Sequence, residues 1–113
     1  MPQRVDALGV RMIKHIVMWN VRGETPAQRR EAADYVKSRF EGLAGRIPGM
    51  QRVEVGIDTS RVGHACDVVL YTEFDTQASL DGYASHPEHL RVRNELGDIR
   101  IARYQVDYQP EGN

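Results

Sequence analysis

The first apolar segment of the chain, from Met12 to Val21, constrains the fold most because it carries apolar side chains on both faces of a predicted strand. Side chains alternate between the two faces of a β-strand, which places Val17 and Trp19 on one face and Ile16 and Met18 on the other. A strand that is exposed on one side needs only one apolar face. The segment therefore predicts a strand that is covered on both sides.

Length and composition fit one compact globular domain. The chain has 113 residues, of which 41% are hydrophobic and 27% charged, so it is too apolar for a disordered protein. The net charge of -1 predicts no binding to nucleic acid or to anionic membranes. The only cysteine, Cys66, permits no intrachain disulfide, and the sequence has neither a membrane-spanning segment nor a signal peptide. We therefore expect a cytoplasmic protein.

A long helix is predicted after the first strand. Thr25 can cap it, Pro26 suits the first helical position and Gln28 completes a capping box. Pro48 and Gly49 end it. Between these signals the apolar residues recur at steps of three and four, as expected for one buried helix face: Ala33, Val36, Phe40, Leu43 and Ile47.

Three further strands are predicted from alternating side chains. The first two, at 50–58 and 66–74, are joined by a loop that contains Gly63. The last strand covers 99–108. Its alternation puts Ile99 and Ile101 on one face and a second set of residues on the other: Ala102, Tyr104, Val106 and Tyr108.

A broken helix is predicted before the last strand. Asp75 or Thr76 can cap its first part, which ends at His86 because a residue before a proline avoids the helical conformation. A new helix begins at Pro87 and ends at Gly97. The chain therefore runs strand, helix, strand, strand, broken helix, strand.

This order predicts an α+β, ferredoxin-like β-α-β-β-α-β fold with a four-stranded antiparallel sheet. The domain covers 12–108, preceded by an N-terminal extension at 1–11 and followed by a C-terminal tail at 109–113. Both helices must lie on one face of the sheet. The other face is then apolar and bare, which predicts a homodimer that packs sheet against sheet.

The helix break at Tyr83 to His89 is the candidate functional site, because protonatable side chains fall close together there. His86 has the position of a helix cap, or it contributes to a ligand pocket. His89 is either a general base in the first turn of the second helix or the partner of a backbone carbonyl. Tyr83 is either a proton donor or a core aromatic. His15, beside Val17, is either a pocket residue or a core histidine with a satisfied hydrogen bond.

A metal site built from His15, His86 and His89 is the weaker alternative. A proline separates the last two histidines, and no carboxylate or second cysteine stands at a suitable spacing. No glycine-rich phosphate loop is present either. We therefore expect neither a metal nor another cofactor.

The chain resembles the stress-responsive dimeric α/β-barrel (Dabb) family. The resemblance covers about 12–108 and is carried by short segments that occur in the family's order: residues 13–19 (IKHIVMW), 47–49 (IPG), 55–56 (VG), 67–70 (DVVL), Phe74, Tyr83, 86–89 (HPEH) and 106–108 (VDY). It implies a dimeric α+β barrel, formed by two ferredoxin-like sheets. Many members are plant or bacterial proteins that are known through stress-linked expression.

The resemblance also implies roles for particular residues. One plant member, olivetolic acid cyclase, closes a polyketide ring by aldol chemistry with a tyrosine and a histidine that match Tyr83 and His89. A pocket histidine of that enzyme matches His15, and Val17, Trp19 and His86 are the remaining expected pocket residues. Two functions stay open. One is binding of a small apolar ligand in a cleft between sheet and helices, and the other is a cofactor-independent cyclase or isomerase.

Overall fold

The computed structural model describes residues 11–111 and contains four strands and three helices. Residues 1–10 of the expected extension and 112–113 of the expected tail lie outside the described residues. In chain order the elements are β1 (Ile13–Val21), α1 (Pro26–Glu41), β2 (Met50–Ile57), β3 (Val68–Phe74), α2 (Gln77–Ser85), α3 (Pro87–Leu96) and β4 (Arg100–Tyr108). None of the helices in this part of the chain is long and apolar enough to cross a membrane.

The sheet confirms the predicted ferredoxin-like fold. Its four strands are antiparallel in the order β2-β3-β1-β4, so β1 lies between β3 and β4. The break predicted before Pro87 separates α2 from α3. Because β1 pairs on both edges, its side chains reach the centre of both sheet faces.

The hydrophobic core lies between the helices and one face of the sheet. Val17 and Trp19 of β1 are buried there against Val36 and Phe40 of α1. The rings of Trp19 and Phe40 stack with centroids 5.3 Å apart. This face therefore holds the helices in place, and it also forms the floor of the cavity described below.

Helix α1 is shorter than predicted. It begins at Pro26, with Thr25 Oγ1 accepting a hydrogen bond from the amide of Gln28 at 3.1 Å, but it ends at Glu41 rather than near Ile47. Turns follow, and Gly45 has a φ of 76°, a conformation that an α-helix does not contain. Leu43 and Ile47 remain buried in these turns. Their spacing is the same as that of a buried helix face, which is why the sequence predicted a longer helix.

The alternation predicted for the last strand is wrong at its first residues. The pairing of β4 with β1 shifts by one residue at Ala102, which has a φ of 51°. A shift of one residue exchanges the two faces of a strand. Arg100 consequently lies opposite the buried Val21, and Ile101 lies opposite Asn20.

The second face of the sheet carries exposed apolar side chains. Tyr104 and Val106 on β4 are 57% and 58% exposed, and they pair with Met18 and Ile16 on β1. Tyr108 extends the same face at 42% exposure. The two-sided apolar pattern of β1 thus has one face in the core and one in an uncovered apolar surface.

Candidate functional site: a cavity between the sheet and the broken helix

A cavity of about 580 Å³ opens between the sheet and the helices α2 and α3. Its volume lies in the range of small-molecule sites. Five of the residues singled out in the sequence line it: His15, Val17, Trp19, Tyr83 and His89. Residues from the first and last strands and from both parts of the broken helix thus meet in one place.

His86 does not line this cavity and instead joins α2 to α3. Its backbone amide donates to the carbonyl of Tyr83 at 3.1 Å, which closes α2. Its ring Nδ1 accepts a hydrogen bond from the amide of Glu88 at 3.1 Å, which caps α3. The expectation of a pocket role for His86 does not match this placement, because the cap turns the ring toward the first turn of α3.

Tyr83 and His89 are neighbours on either side of the helix break. Their ring centroids are 4.1 Å apart with the planes inclined by 31°. His89 Nδ1 lies 3.2 Å from the carbonyl oxygen of Ala84 and donates a hydrogen bond to it. In a neutral imidazole that donates through Nδ1, the basic lone pair is on Nε2.

Burial keeps both side chains neutral near pH 7. It raises the pKa of the Tyr83 phenol far above 10.0, although the charges of Arg100 and Arg103 oppose the shift. Burial also lowers the pKa of His89 below 6.5, and the charges of Arg93 and Arg100 add to this effect. The site therefore presents a neutral imidazole, which can accept a proton, beside an un-ionised phenol, which can donate a hydrogen bond.

His15 forms a close pair with Asp107 at the cavity wall. His15 is buried, and its Nδ1 lies 2.6 Å from Oδ1 of Asp107, opposite it on β4. Gln105 Nε2 donates to the other carboxylate oxygen at 2.9 Å. Because a carboxylate oxygen accepts, Nδ1 of His15 donates to Asp107, and this hydrogen bond orients the ring. In the neutral ring the lone pair then lies on Nε2.

No role was predicted for Asp107 from the sequence, although the pattern of polar residues around it indicated a solvent-facing strand face. Arg103, Gln105 and Asp107 are polar residues that alternate with the apolar residues of the exposed sheet face. Such an alternation normally indicates a face in contact with water. Here the polar face of β4 lies at the edge of the cavity and supplies part of its lining.

Three arginines in the lining were also missed. Arg93 from α3 and Arg100 and Arg103 from β4 line the cavity. The guanidinium of Arg100 lies 4.8 Å from the ring centroid of Trp19 and 5.5 Å from that of Phe40. Within residues 11–111 no group of three or more His, Cys, Asp or Glu side chains is arranged to hold a metal ion. The polar groups of the cavity are thus imidazole, phenol and guanidinium, together with the carboxylates of Asp81 and Asp107 and the amides of Gln77 and Gln105.

Comparison with solved structures supports the same architecture. A dimeric protein of unknown function with a ferredoxin-like fold from Bacteroides fragilis is 31% identical, with a TM-score of 0.76 over 87% of this chain and 95% of that one. A Dabb family protein from Mesorhizobium loti is 23% identical, with a TM-score of 0.71 over 90% of this chain and 99% of its own.

An enzyme with the same fold is also similar in structure. Hydroxynitrile lyase from Passiflora edulis is 14% identical, with a TM-score of 0.74 over 91% of this chain and 96% of that one. No match was found among curated proteins. The model of the stress responsive A/B barrel domain (Dabb) matches residues 13–110. The chain therefore belongs to the Dabb family.

Proposed function

We propose that this protein binds a small carbonyl compound in the cavity and catalyses a proton transfer on it without a cofactor. The observation that carries the proposal is the contact between Tyr83 and His89, with ring centroids 4.1 Å apart, in a cavity lined by both. A neutral imidazole and an un-ionised phenol are a matched general base and hydrogen-bond donor.

In the proposed step, His89 Nε2 removes a proton from a carbon next to the carbonyl group. The electron pair of the C–H bond moves toward the carbonyl oxygen, which gains negative charge as an enolate forms. The hydroxyl of Tyr83 donates a hydrogen bond to that oxygen. Return of the proton to a different carbon gives an isomerisation, and attack of the enolate carbon on a second carbonyl gives a cyclisation.

Binding without catalysis is the second candidate function. The apolar part of the cavity lining, which includes Val17, Leu70 and Leu80, favours it. In this case a small apolar ligand would lie between the sheet and the helices, and Tyr83 and His89 would contribute only hydrogen bonds. The two candidates share the cavity and differ in whether His89 takes up a proton from the ligand.

We also propose that the protein forms a homodimer. The similar protein from Bacteroides fragilis is dimeric, and the exposed face with Tyr104, Val106 and Tyr108 supplies an apolar surface for a second copy. Two such sheets packed face to face would form one barrel. The cavity lies on the opposite face, with the helices, so each protomer keeps its own site.

Exchange of carbon-bound hydrogen for deuterium tests catalysis without knowledge of the natural substrate. In D₂O, we expect the protein to accelerate deuterium uptake by a simple β-diketone, followed by NMR. His89→Gln should lower the rate about 100-fold or more, because a positioned general base contributes at least that factor. Tyr83→Phe should also lower it about 100-fold, since it removes one donor to the enolate oxygen.

A histidine outside the site provides the matched control. His64 lies exposed in the loop between β2 and β3, so His64→Gln should exchange at the rate of the unmodified protein. If His89→Gln exchanges as fast as His64→Gln, the proton-transfer proposal is wrong. Binding without catalysis would then be the function that the cavity supports.

A further inference from the structure

The arginines of the cavity differ from the other arginines of the described chain in having no side-chain hydrogen-bond partner. Arg93, Arg100 and Arg103 make no side-chain hydrogen bond or ion pair with any residue of 11–111. The remaining arginines of this part of the chain all donate to a carboxylate, a carbonyl, an amide oxygen or a hydroxyl: Arg11, Arg22, Arg29, Arg30, Arg39, Arg46, Arg52, Arg61 and Arg91. The arginines without partners are therefore those that line the cavity.

The carboxylates of the cavity do not balance these charges. Asp107 is held by His15 and Gln105, and Asp81 accepts a hydrogen bond from Gln77 at 3.0 Å. The whole chain carries a net charge of -1, so the cationic character is local to the cavity. Arg93 and Arg103 are exposed to water, which screens their charges, so the unfavourable energy falls mainly on the partly buried Arg100. An anion bound beside Arg100 would relieve it.

The lack of a partner is clearest at Arg100. Its Nε is buried and has no hydrogen-bond partner in the described structure, whereas buried polar atoms are nearly always paired. Its guanidinium lies over the rings of Trp19 and Phe40, and these contacts restrain it. A planar cation restrained in this way is prepared to bind a carboxylate through two parallel hydrogen bonds.

We propose that the ligand of this cavity is an organic carboxylate, held at one end by Arg93, Arg100 and Arg103 and at the other by apolar side chains. The inference rests on the proposed small-molecule function and names the class of molecule. Leu70 and Leu80 supply the apolar part of the lining. The carboxylate would anchor the molecule while its carbonyl group reaches Tyr83 and His89. A purely apolar ligand would leave the arginines unpaired.

The chain contains its own reporter for a test. Trp19 is the only tryptophan, it lines the cavity and it contacts Arg100, so its fluorescence should respond to a bound ligand. We would titrate the full chain with two matched pairs of probes, 3-phenylpropanoate with its primary amide and hexanoate with its primary amide. We expect the carboxylate of each pair to bind about tenfold tighter or more than the amide, because hydrogen bonds to a charged group are stronger.

Variants then assign the preference to the arginines. Arg103→Gln should weaken carboxylate binding about tenfold and leave amide binding unchanged. Arg100→Lys keeps the positive charge but loses the planar fork, and it should also weaken the carboxylate selectively. The matched control is Arg30→Gln, which removes one positive charge from the exposed surface of α1 and should change neither affinity.

The outcomes separate this inference from the proposed function. Equal affinity for carboxylate and amide, or an equal loss in Arg103→Gln and Arg30→Gln, would overturn the carboxylate inference and leave a neutral carbonyl compound as the ligand. No response to any probe would also overturn it. Deuterium exchange into a neutral β-diketone tests the proposed function independently of this inference, since that probe carries no carboxylate.

Discussion

At the scale of single residues, the three histidines around the helix break have different surroundings, and these separate their roles. His86 caps α3, His89 donates to the carbonyl of Ala84, and His15 pairs with Asp107. The ring of His89 lines the cavity, and burial and nearby arginines lower its pKa. Its surroundings thus make it the residue to test as the base.

The pH dependence of the exchange reaction follows from the direction of that shift. The base must be neutral, so the rate should rise with pH as His89 loses its proton and then stay level. Because the pKa of His89 is lowered, the midpoint should lie below 6.5. A rate profile measured between about pH 5 and pH 8 would locate it. A midpoint above 6.5, or an unchanged profile in His89→Gln, would contradict the assignment.

At the scale of elements, the turn before β2 packs closely against the start of α2. Gly49 has a φ of 79°, and its carbonyl accepts a hydrogen bond from the amide of Asp75 at 2.9 Å. A Cβ at Gly49 would collide with the side chains of Asp75 and Ser79, which are hydrogen-bonded to each other at the start of α2. The glycine therefore lets the turn pack against the helix that carries Tyr83.

Gly49→Ala should be markedly destabilising, and Gly45 offers a matched control. Gly45 has a similar φ of 76°, but a Cβ there would meet no atom within 4 Å. Gly45→Ala should cost about 1 kcal/mol for the backbone conformation alone, and Gly49→Ala about 3 kcal/mol because the collision adds to it. Urea unfolding of the two variants measures the difference. Equal losses would show that the contact with α2 is unimportant.

At the scale of the whole molecule, one sheet face exposes a patch of apolar side chains. It consists of Ile16, Met18, Tyr104, Val106 and Tyr108. It lies on the sheet face opposite the helices, and its strand β4 is at the edge of the sheet. Exposed apolar patches of this kind mark protein interfaces. The proposed cover is the same face of a second copy, related by a two-fold axis.

Sedimentation tests this arrangement directly. We expect the unmodified protein to sediment as a dimer and Val106→Asp to sediment as a monomer, because the substitution places a charge in the centre of the proposed interface. Val62→Asp is the matched control, since Val62 is 48% exposed in the loop before β3 and lies outside the sheet. A monomeric unmodified protein, or a dimeric Val106→Asp, would contradict the sheet-to-sheet dimer.

The sequence by itself determined the order of elements, the α+β class and the helix break at His86–Pro87, because these depend on local periodicity and on residues that cap or interrupt helices. It overestimated α1, since Leu43 and Ile47 keep a helical spacing in turns that are not helical. Errors of this kind arise where burial continues after the regular backbone has ended.

Only the tertiary structure decided the chemistry of the cavity. His15 and Asp107 are 92 positions apart and meet because β1 and β4 pair in one particular register. Arg100 reaches Trp19 because the pairing shifts by one residue at Ala102, which no local pattern indicates. Strand register depends on contacts between distant segments, so the positions of the cavity's charged groups could not be predicted from spacing along the chain.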